Sequence, residues 1–200
     1  KEYVDTLAGM GCSHTRSIPG VLEALEIFRS EGLKLALVTN KDGVLIDAVL
    51  EQAGLSPYFP KDLRFSADDV PTPKPAPDML LLAASRMELD PADCMMLGDS
   101  RNDAQAAANA GMPVILLETG YNEGEPIAKW GPQNGFCDIF KSMDLAAKSF
   151  SSHGINFQHP TKHLYPTMQT IATLMISAVR SVRVSATSVG QTRGAWSWRL

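Results

Sequence analysis

Met95-Met96-Leu97-Gly98-Asp99-Ser100-Arg101-Asn102-Asp103 decides how the rest of the chain is read. The apolar run Cys94–Leu97 stops at a glycine, and two acids four residues apart follow it. Ala104-Gln105-Ala106-Ala107-Ala108-Asn109-Ala110 then closes on Gly111 and Pro113. The pattern predicts a buried strand, a tight turn at Gly98 and an alanine-rich helix ended by Gly111. Asp99 falls just past the carboxyl end of that strand, where open α/β sheets bind ligands. Asp103 lies one helical turn on, along the same face. Two hard oxygen donors so placed suit Mg²⁺. Acids near a helix start also favour the helix dipole, so the pair by itself is weak.

Outward from this stretch, apolar runs and amphipathic segments alternate. Val21–Ser30 carries Val21, Leu22, Leu25 and Phe28 at helical spacing and ends at Gly32. Leu33–Val38 is a near-continuous apolar run, the mark of a strand buried on both faces. Val44–Ala53 reads as a helix capped by Gly54, Leu63–Ser66 as a short strand and Asp78–Met87 as a helix. Val114–Leu117 and Phe136–Phe140 supply the last strands. Alternation of this kind predicts an α/β fold, a three-layer α/β/α Rossmann-like parallel sheet with helices on both faces.

Charge divides the chain. Residues 1–150 hold 13 Lys and Arg against 22 Asp and Glu, a balance of −9. Residues 151–200 hold Lys162, Arg180, Arg183, Arg193 and Arg199 and no acid, a balance of +5. That last quarter, rich in Ser, Thr and His, breaks the strand–helix alternation. Within it Leu164, Met168, Ile171, Met175, Val179 and Val182 recur at helical spacing, so an amphipathic helix over 164–184 is one expectation and a loosely structured tail the other. The net charge of −4 gives no reason to expect nucleic acid. No run reaches the ~18 apolar residues that spanning a bilayer requires. Cys12, Cys94 and Cys137 form no Cys-x-x-Cys and point to a reducing cytoplasm.

Polar groups fall at the ends of the apolar strands. Thr39 and Asn40 follow Leu33–Val38, Lys74 precedes a helix, and Asp99 and Asp103 follow Cys94–Leu97. Parallel strands bring their carboxyl ends to one edge, so these groups can share a pocket. The set suits phosphoryl transfer, which depends on positioning and charge neutralisation. A Thr hydroxyl and neighbouring N–H groups hold phosphate oxygens, a Lys adds a point charge, and carboxylates hold Mg²⁺.

In this order, Leu37-Val38-Thr39-Asn40-Lys41, Lys74-Pro75-Ala76-Pro77 and Leu97-Gly98-Asp99-Ser100-Arg101-Asn102-Asp103 resemble motifs II, III and IV of the haloacid dehalogenase superfamily. Arg16-Ser17-Ile18-Pro19-Gly20-Val21 resembles the segment by which such a chain leaves a helical cap and re-enters the core. Gly120-Tyr121-Asn122-Glu123-Gly124-Glu125-Pro126-Ile127 is similar to a stretch of the phosphoglycolate phosphatase subfamily. The resemblance implies a remnant of the cap over 1–16, a hydrolase core over 17–148 and an atypical tail over 149–200. It implies that Thr39 and Lys74 act on the transferring phosphoryl group, that Asn40 helps to bind it through its backbone, and that Asp99 and Asp103 hold Mg²⁺. The substrate would be a small phosphorylated metabolite.

One part of the family pattern is missing. Such enzymes attack phosphorus with an aspartate of an Asp-x-Asp-x-Thr motif after the first strand, and residues 1–200 contain none. The expectation is a phosphate monoester hydrolase without its first strand, its nucleophile and most of its cap, inactive alone, with the edges of the neighbouring strands uncovered. A pyrophosphatase, a sugar-phosphate mutase and a non-catalytic phosphate-binding module are the alternatives. A phosphoacceptor receiver domain fits poorly, because its phosphorylated Asp precedes its Thr and Lys.

Overall fold

The computed structural model describes residues 15–119, 124–153 and 173–176. The helices are α1 (Val21–Ser30), α2 (Ile46–Gln52), α3 (Asp78–Arg86), α4 (Arg101–Ala110), α5 (Ile127–Gln133) and α6 (Met143–His153). The strands are β1 (Lys34–Val38), β2 (Arg64–Phe65), β3 (Cys94–Gly98), β4 (Val114–Leu117), β5 (Ile139–Phe140) and β6 (Thr173–Ile176). They form one sheet in the order β2-β1-β6-β3-β4-β5, with every pair parallel.

Side chains alternate between the two faces, as the period of two demands. Leu35, Leu37, Met95, Leu97 and Ile176 join α1, α2 and α6 in one core. Ala36, Val38, Cys94, Met96 and Met175 join α3 and α4 in the other. A smaller cluster of Ala104, Leu116, Ile127 and Trp130 seats α5. The α/β/α layering thus follows from strands that are apolar on both faces.

The tail departs from expectation. Thr173–Ile176 is extended, not helical, and lies at the centre of the sheet between β1 and β3. Lys34 to Leu37 align with Thr173 to Ile176 on one side, and Cys94 to Leu97 on the other. A four-residue apolar run fits either periodicity. Two adjacent strand edges, each with unpaired N–H and C=O groups, decide for the strand. The neighbouring edges are therefore covered, against the expectation that they lie open. The rest of the 164–184 segment, the 1–14 part of the cap remnant and residues 120–123 lie outside the described residues.

Candidate functional site

The carboxyl ends of β1 and β3 carry the polar groups. Val38 ends β1 and Thr39 follows, its N–H donating to Phe65 O at 2.9 Å, which continues the ladder to β2. The Thr39 hydroxyl accepts the Lys41 N–H at 3.2 Å and stands half-buried beside a hollow lined by Leu37, Ile46, Val49 and Leu50. Gly98 ends β3. A Cβ there would overlap the Asp103 side chain, so the turn closes only on glycine.

Local chemistry sets the β3–α4 corner. Ser100 is the N-cap of α4, and its hydroxyl accepts the Asp103 N–H at 3.2 Å. Asp103 reaches back in a capping box, where its Oδ2 accepts from Asp99 N at 3.1 Å, Ser100 N at 3.1 Å and Ser100 Oγ at 2.7 Å. Gly111, at φ 70°, ends the helix in the left-handed region.

Lys74 arrives from a different part of the chain. Its Nζ donates to Val38 O at 2.9 Å and to Asp103 Oδ1 at 2.8 Å, with 3% of the lysine side chain and 2% of the aspartate exposed. A buried ion pair is kept only with such additional hydrogen bonds. The Asn40 side chain fixes the lysine backbone, accepting its N–H at 3.1 Å and donating to its carbonyl at 2.8 Å. Asp99 is 1% exposed. The structure thus brings Thr39, Asn40, Lys74, Asp99 and Asp103 to one edge of the sheet.

Two residues carry more than the sequence reading assigned. Asn40 acts on Lys74 through its side chain, and Ser100 ties Asp103 to the corner; the Ser-x-x-Asp spacing of a capping box was the visible signal for the second. Arg101 bridges Glu125 at 3.0 Å and lies over Trp130, which docks α5 against the start of α4.

The donor set is a partial fit for a divalent metal. Among the described residues no three His, Cys, Asp or Glu side chains gather. Both Asp103 oxygens already accept hydrogen bonds, from Lys74 on one side and the corner on the other. Asp99 is a buried hard-oxygen donor, and Mg²⁺ is commonly held by one or two carboxylates plus water and substrate phosphate. No helix among the described residues is long and apolar enough to cross a membrane.

Comparison with known proteins gives the family and the fold. A family model described as haloacid dehalogenase-like hydrolase matches residues 3–111. A phosphoglycolate phosphatase of Nitrosospira multiformis is 45% identical over 135 residues, 68% of this chain and 59% of that protein. The phosphoglycolate phosphatase of Escherichia coli is 44% identical over 109 residues, 54% of this chain and 42% of that one. The chain therefore spans about half the length of these curated relatives. A crystal structure of a predicted phosphoglycolate phosphatase from Haemophilus somnus superposes with a TM-score of 0.58 at 32% identity, covering 65% of this chain and 55% of the other. CbbY from Rhodobacter sphaeroides, in complex with phosphate, shares the fold at 24% identity and a TM-score of 0.55, covering 66% and 58%.

Proposed function

The chain belongs to the haloacid dehalogenase-like hydrolases, and within that family we propose that it serves hydrolysis of a phosphate monoester, of the phosphoglycolate phosphatase type. The observation that carries this is the desolvated Lys74–Asp103 pair hung from the end of β1, with Thr39 and Asp99 beside it. A small phosphorylated metabolite is the substrate class. Sugar-phosphate mutase and pyrophosphatase chemistry would use the same edge.

In this proposal the Thr39 hydroxyl and the Asn40 backbone hold phosphoryl oxygens. Lys74 supplies the positive charge, oriented by Asn40 and Asp103. Asp99 is the direct Mg²⁺ ligand and Asp103 stands behind it, anchoring the corner. Bound there, Mg²⁺ would offset negative charge on the phosphoryl group. Free thiols at Cys94 and Cys137 support a reducing, cytoplasmic setting.

Hydrolysis by an aspartyl phosphate has two balanced steps. A carboxylate oxygen bonds to phosphorus as the ester P–O bond breaks toward the alcohol, and water then cleaves the acyl phosphate to release phosphate. Residues 1–200 contain no Asp-x-Asp-x-Thr to supply that carboxylate. Losing a covalent nucleophile in another hydrolase costs about six orders of magnitude in turnover, so we propose that this chain binds phosphate and turns substrate over at most at trace rates. A phosphate-binding module without catalysis is the alternative reading.

The test is titration of the purified chain with orthophosphate in Mg²⁺, beside release of phosphate from 2-phosphoglycolate. Saturable binding that weakens at least tenfold in Thr39→Val supports the site. Binding with at most trace release of phosphate is the expected result, and turnover at an ordinary phosphatase rate would show that residues 1–200 supply a nucleophile of their own. No binding by a folded chain would sink both.

A further inference from the structure

The segment that carries Thr39 is tied at both ends to one neighbour, β2 and the turn that follows it. At the first end the Thr39 N–H donates to Phe65 O at 2.9 Å. At the other the Gly43 N–H donates to Asp68 Oδ2 at 2.7 Å, across 25 positions of sequence. Between the two ties the Thr39 hydroxyl accepts the Lys41 N–H at 3.2 Å, which leaves its own proton to donate to a ligand oxygen. The direction of that hydroxyl therefore depends on the backbone at Lys41, two residues from the second tie.

The second tie has a fixed base. Asp68 belongs to the turn Ala67–Asp69, which Ser66 closes with a capping box. The Ser66 hydroxyl accepts the Asp68 N–H at 3.2 Å, and the Ser66 N–H and hydroxyl both donate to Asp69 Oδ2 at 2.7 Å. Ser66 is 2% exposed, so the turn is set by buried bonds and the Asp68 carboxylate reaches out from it. Gly43 comes close enough that a Cβ there would lie 3.0 Å from Ser66 Oγ and 3.3 Å from Asp68 Oδ2, and any side chain would press the two turns apart by a few tenths of an ångström.

We propose that Asp68 is a positioning residue for the phosphate site. Its carboxylate holds the 39–43 loop in the shape that directs the Thr39 hydroxyl and the neighbouring N–H groups at a phosphoryl oxygen. The proposal rests on the phosphate-binding reading above. It runs against simple charge: a carboxylate at an edge that takes an anion repels it, so deleting that charge should tighten binding, whereas releasing the loop should weaken it.

The experiment titrates orthophosphate in Mg²⁺ into the parent chain, Asp68→Ala and Asp68→Asn, and follows amide exchange at Lys41 and Gly43. Asp68 is exposed, and substitutions at such positions seldom unfold a chain. The asparagine amide oxygen still accepts the Gly43 N–H but carries no charge. The expected result is phosphate binding at least threefold weaker in Asp68→Ala with faster exchange at both amides, and binding in Asp68→Asn equal to the parent or tighter. Gly43→Ala should weaken phosphate binding in the same direction as Asp68→Ala. With a parent that binds, a loss under threefold in Asp68→Ala, exchange as slow as in the parent, or equal weakening in Asp68→Asn would each overturn the proposal alone. A folded parent that binds no phosphate would overturn the reading beneath it as well.

Discussion

β3 and β6 are adjacent strands of similar length, yet they are placed by opposite means. β3 runs straight into its own corner: Gly98 admits Asp103, Ser100 caps α4, and Asp103 holds both. The capping hydrogen bonds that shape its carboxyl end lie within six residues, 98–103, and Lys74 reaches Asp103 from outside them. β6 has no such neighbours among the described residues. Two ladders and two buried side chains hold it, and both ladders join residues distant in sequence. A corner written locally is robust to what surrounds it, whereas a strand recruited from a distance depends on the gap it enters.

The sharpest way to break that contrast is at Asp103. Asp103→Ala removes the carboxylate from the buried Lys74 ammonium, and removal of one partner of a buried pair costs about 3–5 kcal/mol. Urea denaturation should show that loss. Lys74→Met combined with Asp103→Leu should recover only the part due to the ammonium stripped of its carboxylate, because the Asp99 N–H, the Ser100 N–H and the Ser100 hydroxyl still lose their acceptor. A loss under ~1 kcal/mol in the single variant would mean that the corner does not rest on the pair.

The matching experiment on β6 is Met175→Ala. Truncating a fully buried methionine costs about 2–5 kcal/mol, and amide exchange in both β1 and β3 should accelerate together. A change within ~0.5 kcal/mol would show that the central strand contributes little to the sheet.

Asn40 lies between these extremes, a local residue that fixes a distant one. Asn40→Ala removes two hydrogen bonds to the Lys74 backbone, each worth about 0.5–1.5 kcal/mol. It should weaken phosphate binding more than it lowers stability, because the lysine keeps its ion pair but loses its backbone anchor. Equal phosphate affinity in the variant and the parent would remove Asn40 from the site.

The smallest effect is at the sheet edge. The Arg64 guanidinium beside Asp47 holds that carboxyl below its ordinary value of 3.8. A lowered folded-state value means a contribution present above pH ~4 and lost as pH falls further. The Asp47 side chain is 60% exposed, so the gain is under ~1 kcal/mol. Arg64→Gln should flatten the acid limb of the stability curve slightly, by lowering stability above pH ~4 more than it lowers it at acid pH.

Much of the molecule is legible in sequence because its determinants are short-range. Val21–Ser30 and Val114–Leu117 are seen with the same ends that their spacing predicts. Cys94–Leu97 extends by one residue to Gly98, and Leu33–Val38 loses Leu33. Phe136–Phe140 shrinks to Ile139–Phe140, since only those residues meet β4. Of the proposed site positions, Thr39, Asn40 and Asp99 are visible as polar residues just past apolar runs, Asp103 one helical turn further on and Lys74 in the loop before a helix. Their division of labour is not, because it turns on which oxygen of Asp103 faces Lys74 and which faces the corner.

By itself the sequence determined the alternating α/β layout, the β3–α4 corner and the types of group at the strand ends. Each depends on residues within a turn or two of one another. Only the tertiary structure decided that Lys74 is buried against Asp103, that Asn40 locks it, and that Thr173–Ile176 is a central strand. Four apolar residues carry no periodicity that separates helix from strand. Two unpaired strand edges, brought together by the rest of the fold, supply the hydrogen bonds that make the choice.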